Sequence, residues 1–97
     1  QRHYPRAERL YRRAVLLSPG RVEAAAGLAR VLEKWDRKKE ALAWTKWLVV
    51  QRPKSGSYWV LLGDIQTDLG DKASAKDAYT KALAVEPGNR EAQARLR

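Results

Sequence analysis

The stretch KSGSYWVLLGDIQTDLGDKASAKDAYTKALAVEP, residues 54–87, decides the fold. Gly70-Asp71 divides it into two segments of helical length, and it closes on Pro87. A step of 34 positions back from Pro87 lands on Pro53, and a second lands on Pro19, with no gap. The same step aligns Ala7, Ala41 and Ala75, then Val15, Val49 and Leu83, then Leu28 and Leu62. A register held this way is an internal repeat, and a period of this length means stacked supersecondary units rather than one closed core.

Between the breaks, apolar residues recur at i, i+3, i+4 and i+7, the spacing that lines one face of a helix. Tyr4, Ala7, Tyr11, Ala14, Val15 and Leu17 form one such stripe, and Leu28, Val31, Leu32 and Trp35 form another. Pro5 stands where a helix start tolerates a missing N–H, and Ser55 and Asn89 are suited to cap the helices that follow them. Gly70 can take the left-handed conformation that ends a helix, a role that falls less comfortably to Asp36-Arg37 in the unit before. The pattern predicts helices over 5–17, 22–35, 38–51, 56–69, 72–85 and from 90 to the end.

Trp59-x2-Leu62-Gly63, Ala75-x3-Tyr79, Ala82 and Pro87 together resemble the signature of the tetratricopeptide repeat. Gln66 departs from it, standing where the family has an aromatic residue. In the preceding unit Leu28, Ala29, Ala41 and Pro53 fit, whereas Ala25 replaces the tryptophan and Thr45 the large aromatic. His3 to Pro19, with Ala7, Tyr11 and Ala14, resembles the second helix of a further unit. The resemblance implies an all-α, right-handed solenoid of antiparallel helix pairs. Its units would be 1–19 (the second helix of a partial repeat), 20–53, 54–87 and 88–97 (the start of another). Ala7, Ala29, Ala41, Gly63, Ala75 and Ala82 would let backbones approach, with Tyr11, Trp59 and Tyr79 filling the gaps between them. Thr45 is small where its counterparts are Tyr, and Leu48 is large where its counterparts are Ala14 and Ala82, a swap that conserves volume across one helical turn.

The family's function enters through the same resemblance, which implies a concave groove lined by the first helix of each pair and holding a peptide or helix of a partner protein. The groove positions carried over are Ala26, Gly27, Arg30, Glu33 and Lys34, then Val60, Leu61, Asp64, Thr67 and Asp68, then Glu91, Ala94 and Arg95. Arg30 and Asp64 are 34 apart, as are Lys34 and Asp68, so the expectation is ion pairing between neighbouring repeats. Chaperone-binding members use a carboxylate clamp with Asn at groove positions that Gly27 and Leu61 hold here, which argues against an acidic chaperone tail as ligand.

Charge is distributed unevenly. Through Lys54 the chain holds 14 Lys and Arg against 5 Asp and Glu, and beyond it 6 against 6, so the whole net charge of +9 lies in the first half. Arg2, Arg6, Arg9 and Arg13 share one side of the first predicted helix, beside Arg12, and Arg37, Lys38, Lys39, Lys46, Arg52 and Lys54 extend the basic character. A surface of this kind suits a polyanion such as nucleic acid, or is simply solvated; no regular polar code of the RNA-reading repeats recurs in the units. Trp44 and Trp47 sit one turn apart, and Trp47 aligns with Arg13 and Lys81, which marks a second candidate contact surface.

Catalysis finds no support in the residues. The chain has no Cys and a single His, His3, without a nucleophile or partner, and Asp64 and Asp68 lack any metal-ligand or glycine-rich motif. No catalytic residue, metal site or cofactor is therefore expected. The longest uncharged stretch falls far short of the roughly 20 apolar residues of a membrane span. The opening Gln1-Arg2-His3-Tyr4-Pro5 without an initiating Met reads as a segment of something longer, and the composition leaves the compartment open. Helices without their stacking partners at the two ends would expose apolar surface and favour self-association, which sets a homo-oligomer beside the partner protein as an expectation.

Overall fold

Pro5 opens the first helix, and side-chain caps open three of the others: Ser55 accepts from the Tyr58 N–H, Asp71 from Ser74 and Asn89 from Ala92. In the computed structural model, which describes residues 3–97, the elements are α1 (Tyr4–Leu17), α2 (Val22–Lys34), α3 (Lys38–Gln51), α4 (Gly56–Asp68), α5 (Lys72–Val85) and α6 (Arg90–Arg95). They match the predicted helices closely, and no strand occurs among the described residues. No described helix is long and apolar enough to cross a membrane.

The turns repeat as the helices do. The N–H of Arg21 donates to the Ser18 carbonyl at 3.0 Å, Ser55 to Arg52 at 3.1 Å and Asn89 to Glu86 at 2.9 Å, three copies of one turn at the 34-residue step. Within the pairs, Arg37 N–H donates to the Leu32 carbonyl at 2.8 Å and Asp71 N–H to Gln66 at 2.9 Å, the long bond that closes a helix whose next residue is left-handed. That residue is Gly70, at φ 86°, in one turn and Asp36, at φ 60°, in the other, so the conformation expected of both positions is present. Arg21 and Arg37 give no side-chain cap, unlike their counterparts Ser55, Asn89 and Asp71.

Each helix packs on the next, giving an extended body of 36 × 26 × 19 Å. Leu28, Leu32, Leu48 and Ala41 form the core between α2 and α3, which Leu61 and Ile65 of α4 join. Tyr79, Ala75 and Ala82 pack with Val60 and Ala92 further along. Thr45 and Leu48 are both fully buried, and Thr45 Oγ1 turns back to donate to the Ala41 carbonyl at 2.7 Å. Gln66, in the aromatic's place, is buried with its Oε1 unpartnered, and a buried unmade hydrogen bond costs stability.

One packing expectation needs correction. Tyr79 fills a gap as predicted, lying over Gly63, but Tyr11 is 37% exposed and leans on Gly27. Tyr79 has both α4 and α6 beside it, whereas α1 packs on α2 and has no fully buried residue. Leu10, Leu16 and Leu17 of α1 are correspondingly exposed.

Candidate functional site

Because consecutive helices run antiparallel, α2, α4 and α6 lie side by side along one wall, and their facing residues enclose an open cavity of about 370 Å³. Arg30, Glu33 and Lys34 come from α2, Ser57, Val60, Leu61 and Asp64 from α4, and Glu91 from α6. Seven sequence-predicted groove residues, Arg30, Glu33, Lys34, Val60, Leu61, Asp64 and Glu91, are thus brought together. Ala26 is buried in the core and Asp68 is exposed, and neither lines this cavity. Val60 and Leu61 are only 4% and 7% exposed, so they form a floor shared with the core rather than a free apolar surface.

The expected ion pairs are absent. Asp64 takes Arg95 instead, with Nε at 2.5 Å from Oδ1 and Nη2 at 3.1 Å from Oδ2, and its Oδ1 also accepts the Tyr79 hydroxyl at 2.6 Å. Arg30 reaches only Ser57 Oγ, at 3.4 Å, and no ion pair joins Lys34 to Asp68. The reason is geometric. Residues 34 apart occupy equivalent positions on parallel helices and point the same way, so the residue that reaches across is displaced along its own helix from the equivalent position. Asp64 to Arg95 is 31 positions and Arg30 to Ser57 is 27, one and two turns short of the repeat.

Glu33 is held above the usual carboxylate range, first by burial and then by the charges of Asp64 and Asp68. Tyr79 is pushed up to about 12, chiefly by burial and next by its bond to the Asp64 carboxylate. A raised tyrosine is one whose neutral form the fold prefers, so its contribution to stability is intact below the ordinary value of 10.0 and is lost as pH rises from there toward 12. Absorbance titration of the phenolates should therefore show one late step near pH 12, which Tyr79→Phe removes. A Tyr79→Phe profile identical to wild type would place the late phenolate elsewhere.

The second candidate surface is only partly free. Trp44 and Trp47 are half-buried against the α2–α3 core, edge to face with ring centroids 6.3 Å apart. Arg6, Arg9 and Arg13 are exposed, and Arg2 lies outside the described residues. Arg12 and Arg37 are engaged: Arg37 bonds Glu8 at 2.9 Å and Glu40 at 2.7 Å, and Arg12 bonds Glu8 at 2.9 Å. The Arg37 bond holds Glu8 below its ordinary pKa despite the opposing pull of desolvation. Arg37 also stacks over Trp35, 4.8 Å from its centroid, and Tyr4 lies 6.1 Å from the same ring, so this corner fastens α1 to the α2–α3 turn.

Sequence reasoning missed one further device. Trp59 Nε1 donates to the Pro53 carbonyl at 2.8 Å, and Gln93 Nε2 donates to the Pro87 carbonyl at 2.9 Å. The signal was available: both donors stand six residues after a repeat proline. Ala25, the third member of the series, has no side-chain donor for Pro19.

Comparison with known proteins agrees with this architecture. The Tetratricopeptide repeat family model matches residues 56–89. No curated protein matches the chain in sequence. Among solved structures, the first TPR of Spaghetti (RPAP3), bound to the HSP90 peptide SRMEEVD, superposes with a TM-score of 0.92 at 22% identity over 100% of this chain and 77% of that one. MamA gives 0.87 at 24% identity over 96% of this chain and 54% of its own. The Sgt2 TPR domain from Aspergillus fumigatus gives 0.90 at 24% identity over 98% of this chain and 64% of its own. The chain therefore spans between about half and three quarters of the length of these structures. It carries a tetratricopeptide repeat at residues 56–89 and has the tetratricopeptide-repeat fold, an all-α solenoid, along its described length.

Proposed function

We propose that this chain is a protein-interaction module that catalyses no reaction, and that its concave groove holds an extended peptide or a helix of a partner protein. The observation that carries this reading is the charge pattern of the α2–α4–α6 cavity. Asp64 is committed to Tyr79 and Arg95, which leaves the exposed cations Arg30 and Lys34 in the wall without a carboxylate within ion-pairing distance. Val60 and Leu61 give these cations an apolar floor, and Glu33 and Glu91 supply the opposite sign nearby. Asp68 extends the α4 face beyond the cavity, whereas Ala26 is buried beneath α2. Complementary charge on a partner segment would set its register and speed its association. The fold's occurrence in a structure bound to a peptide supports this reading. Gly27 and Leu61 are not the residues of a carboxylate clamp, so the partner segment is not expected to be the acidic tail that such clamps read.

The test is recovery of partners from a cell extract by the wild type and by Arg30→Glu/Lys34→Glu, with Trp47→Ala as a probe of the other face. Both groove residues are exposed, so helicity should be unchanged. Val60→Asp would be a poor choice, because a carboxylate at a 4% exposed position attacks the core. Partner capture should fall by about tenfold or more in the charge-reversal variant, as when a central charged contact is inverted. Undiminished capture by that variant would remove the groove from consideration, and loss only in Trp47→Ala would transfer the site to Trp44, Trp47 and the exposed Arg6, Arg9 and Arg13. Polyanion binding through the basic half is the weaker reading, because Glu8 and Glu40 already engage Arg12 and Arg37.

A further inference from the structure

The repeat separates two kinds of exposed aliphatic residue on α1. Leu10 has Trp44 and Ala78 as its counterparts at the 34-residue step, one half-buried and the other buried, so its exposure comes from the one-sided packing of α1. Leu16 is different. Its counterparts are Val50 and Ala84, and all three are exposed, Leu16 at 80% and Val50 at 72%. Val50 belongs to α3, which is packed on both α2 and α4, so a second neighbour does not cover this position. An aliphatic row therefore runs across the outward faces of α1, α3 and α5, the helices that do not line the groove.

The turn before this row is basic. Residues three and four positions apart on a helix are neighbours, and those preceding the row are Arg12 and Arg13 on α1, Lys46 and Trp47 on α3, and Thr80 and Lys81 on α5. None is a carboxylate. Glu8 takes Arg12 and Glu40 takes Arg37, whereas Arg13 and Lys46 are exposed and form no ion pair among the described residues. Asp77 and Glu86 bring negative charge to the α5 end, so the cationic part of the surface lies on α1 and α3. There the half-buried Trp47 adds aromatic surface one turn before Val50.

We propose that the outward faces of α1 and α3 form a second docking surface, for an amphipathic helix of a partner protein that carries carboxylates beside its apolar stripe. Leu16, Val50 and the Trp47 ring take the stripe, and Arg13 and Lys46 take the carboxylates. The two rows select the occupant. An α-helix shows an apolar stripe and an acidic one side by side on one surface, whereas a strand turns alternate residues to opposite faces and offers one row at a time. A bilayer takes apolar contacts deeper than charged ones, but here cations and aliphatics are neighbours on the same helix face. A nucleic acid would satisfy Arg13 and Lys46 and leave Leu16 and Val50 in water. A second copy of this chain set face to face would bring cations against cations.

The probe is an acetylated and amidated peptide of three LEAAAEE units, whose leucines recur along one side of a helix between glutamates. Titrated into the ¹⁵N-labelled chain, it should saturably shift amides of α1 and α3 around Leu16 and Val50 and spare those lining the groove. Leu16→Ser/Val50→Ser should weaken it about tenfold, the loss expected when two aliphatic contacts are removed. Arg13→Glu/Lys46→Glu should also weaken it about tenfold, through two lost attractions and two new repulsions. All four positions are exposed, so the variants should keep their helicity. Arg30→Glu/Lys34→Glu should change nothing, which separates failure here from failure of the groove. The proposal is overturned if the shifts fail to saturate by about 1 mM, or if they map to the groove. Equal binding of the SEAAAEE counterpart would reduce the surface to a polyanion site, and equal binding of the LKAAAKK counterpart would show that charge does not select the occupant; either result overturns it. So does co-sedimentation with phosphatidylserine vesicles that the same two variants abolish, which would make the occupant a lipid surface.

Discussion

Gly63→Ala should lower the stability of the chain by about 2 kcal/mol, the usual cost of forcing a methyl group into a packed core, whereas Gly27→Ala should leave it unchanged or raise it slightly. Both glycines lie inside helices, where replacing Gly by Ala ordinarily gains about 1 kcal/mol of helix propensity. Both lie under a tyrosine ring that an added Cβ would strike. The outcomes separate on whether the ring can yield. At Gly63 the new Cβ would sit 2.5 Å from the Tyr79 ring, which is 6% exposed and tied by its hydroxyl to Asp64. Moving that ring breaks a charge-assisted hydrogen bond and disturbs Ala75 and Ala82 in the same cluster. Tyr11, over Gly27, is 37% exposed and can swing outward at little cost. In thermal unfolding of a domain this size, Gly63→Ala should melt about 10 °C lower. If both substitutions proved equally harmful, close backbone approach beneath a fixed ring would not be what keeps Gly63 in place.

That contrast also shows what a repeat makes legible. Pro19, Pro53 and Pro87 set the period, and the period located the helices and both tight turns, because local backbone chemistry is copied with the residues that dictate it. Gly70 and Asp36 are the clearest case, one turn conformation met by a residue that suits it and by one that merely tolerates it. Contacts between units are less legible, because they join residues that are not equivalent. Arg30 and Asp64 matched by position and by sign, yet the carboxylate went to Arg95, which lies about one turn short of the equivalent position on α6 and is thereby carried into reach. Trp47 aligned with Arg13 and Lys81 and so read as exposed, but Trp44 one turn earlier gives it an edge-to-face partner and both rest on the core. Of the groove set, seven residues meet around one cavity, and their pairing was not readable. Only three-dimensional offset decides which of the charges remain available to a partner.

Asp64→Ala should cost about 2 kcal/mol, within the range for hydrogen bonds to a charged group, and should loosen α6 more than any other helix. Asp64 joins three elements: its own α4, α5 through the Tyr79 hydroxyl and α6 through the Arg95 guanidinium. Its loss leaves the Tyr79 hydroxyl with Thr67 Oγ1, 3.3 Å away, as its remaining neighbour in a largely buried site. The Arg95 contact is more exposed and contributes less on its own account, about 1 kcal/mol at most. For a helix of six residues that contact still matters, because otherwise α6 is held by Ala92 in the core, the Asn89 cap and the Gln93 bond to Pro87. Amide exchange should therefore accelerate in Arg90–Arg95 beyond the change in global stability, and Arg95→Ala should reproduce that local effect without most of the global one. Uniform acceleration across all helices would make Asp64 an ordinary core contact rather than the tie that holds α6 to α4 and α5. The same tie explains why an Asp64 variant is unfit to test the groove: it would weaken binding by releasing α6, whether or not a partner ever touches the carboxylate.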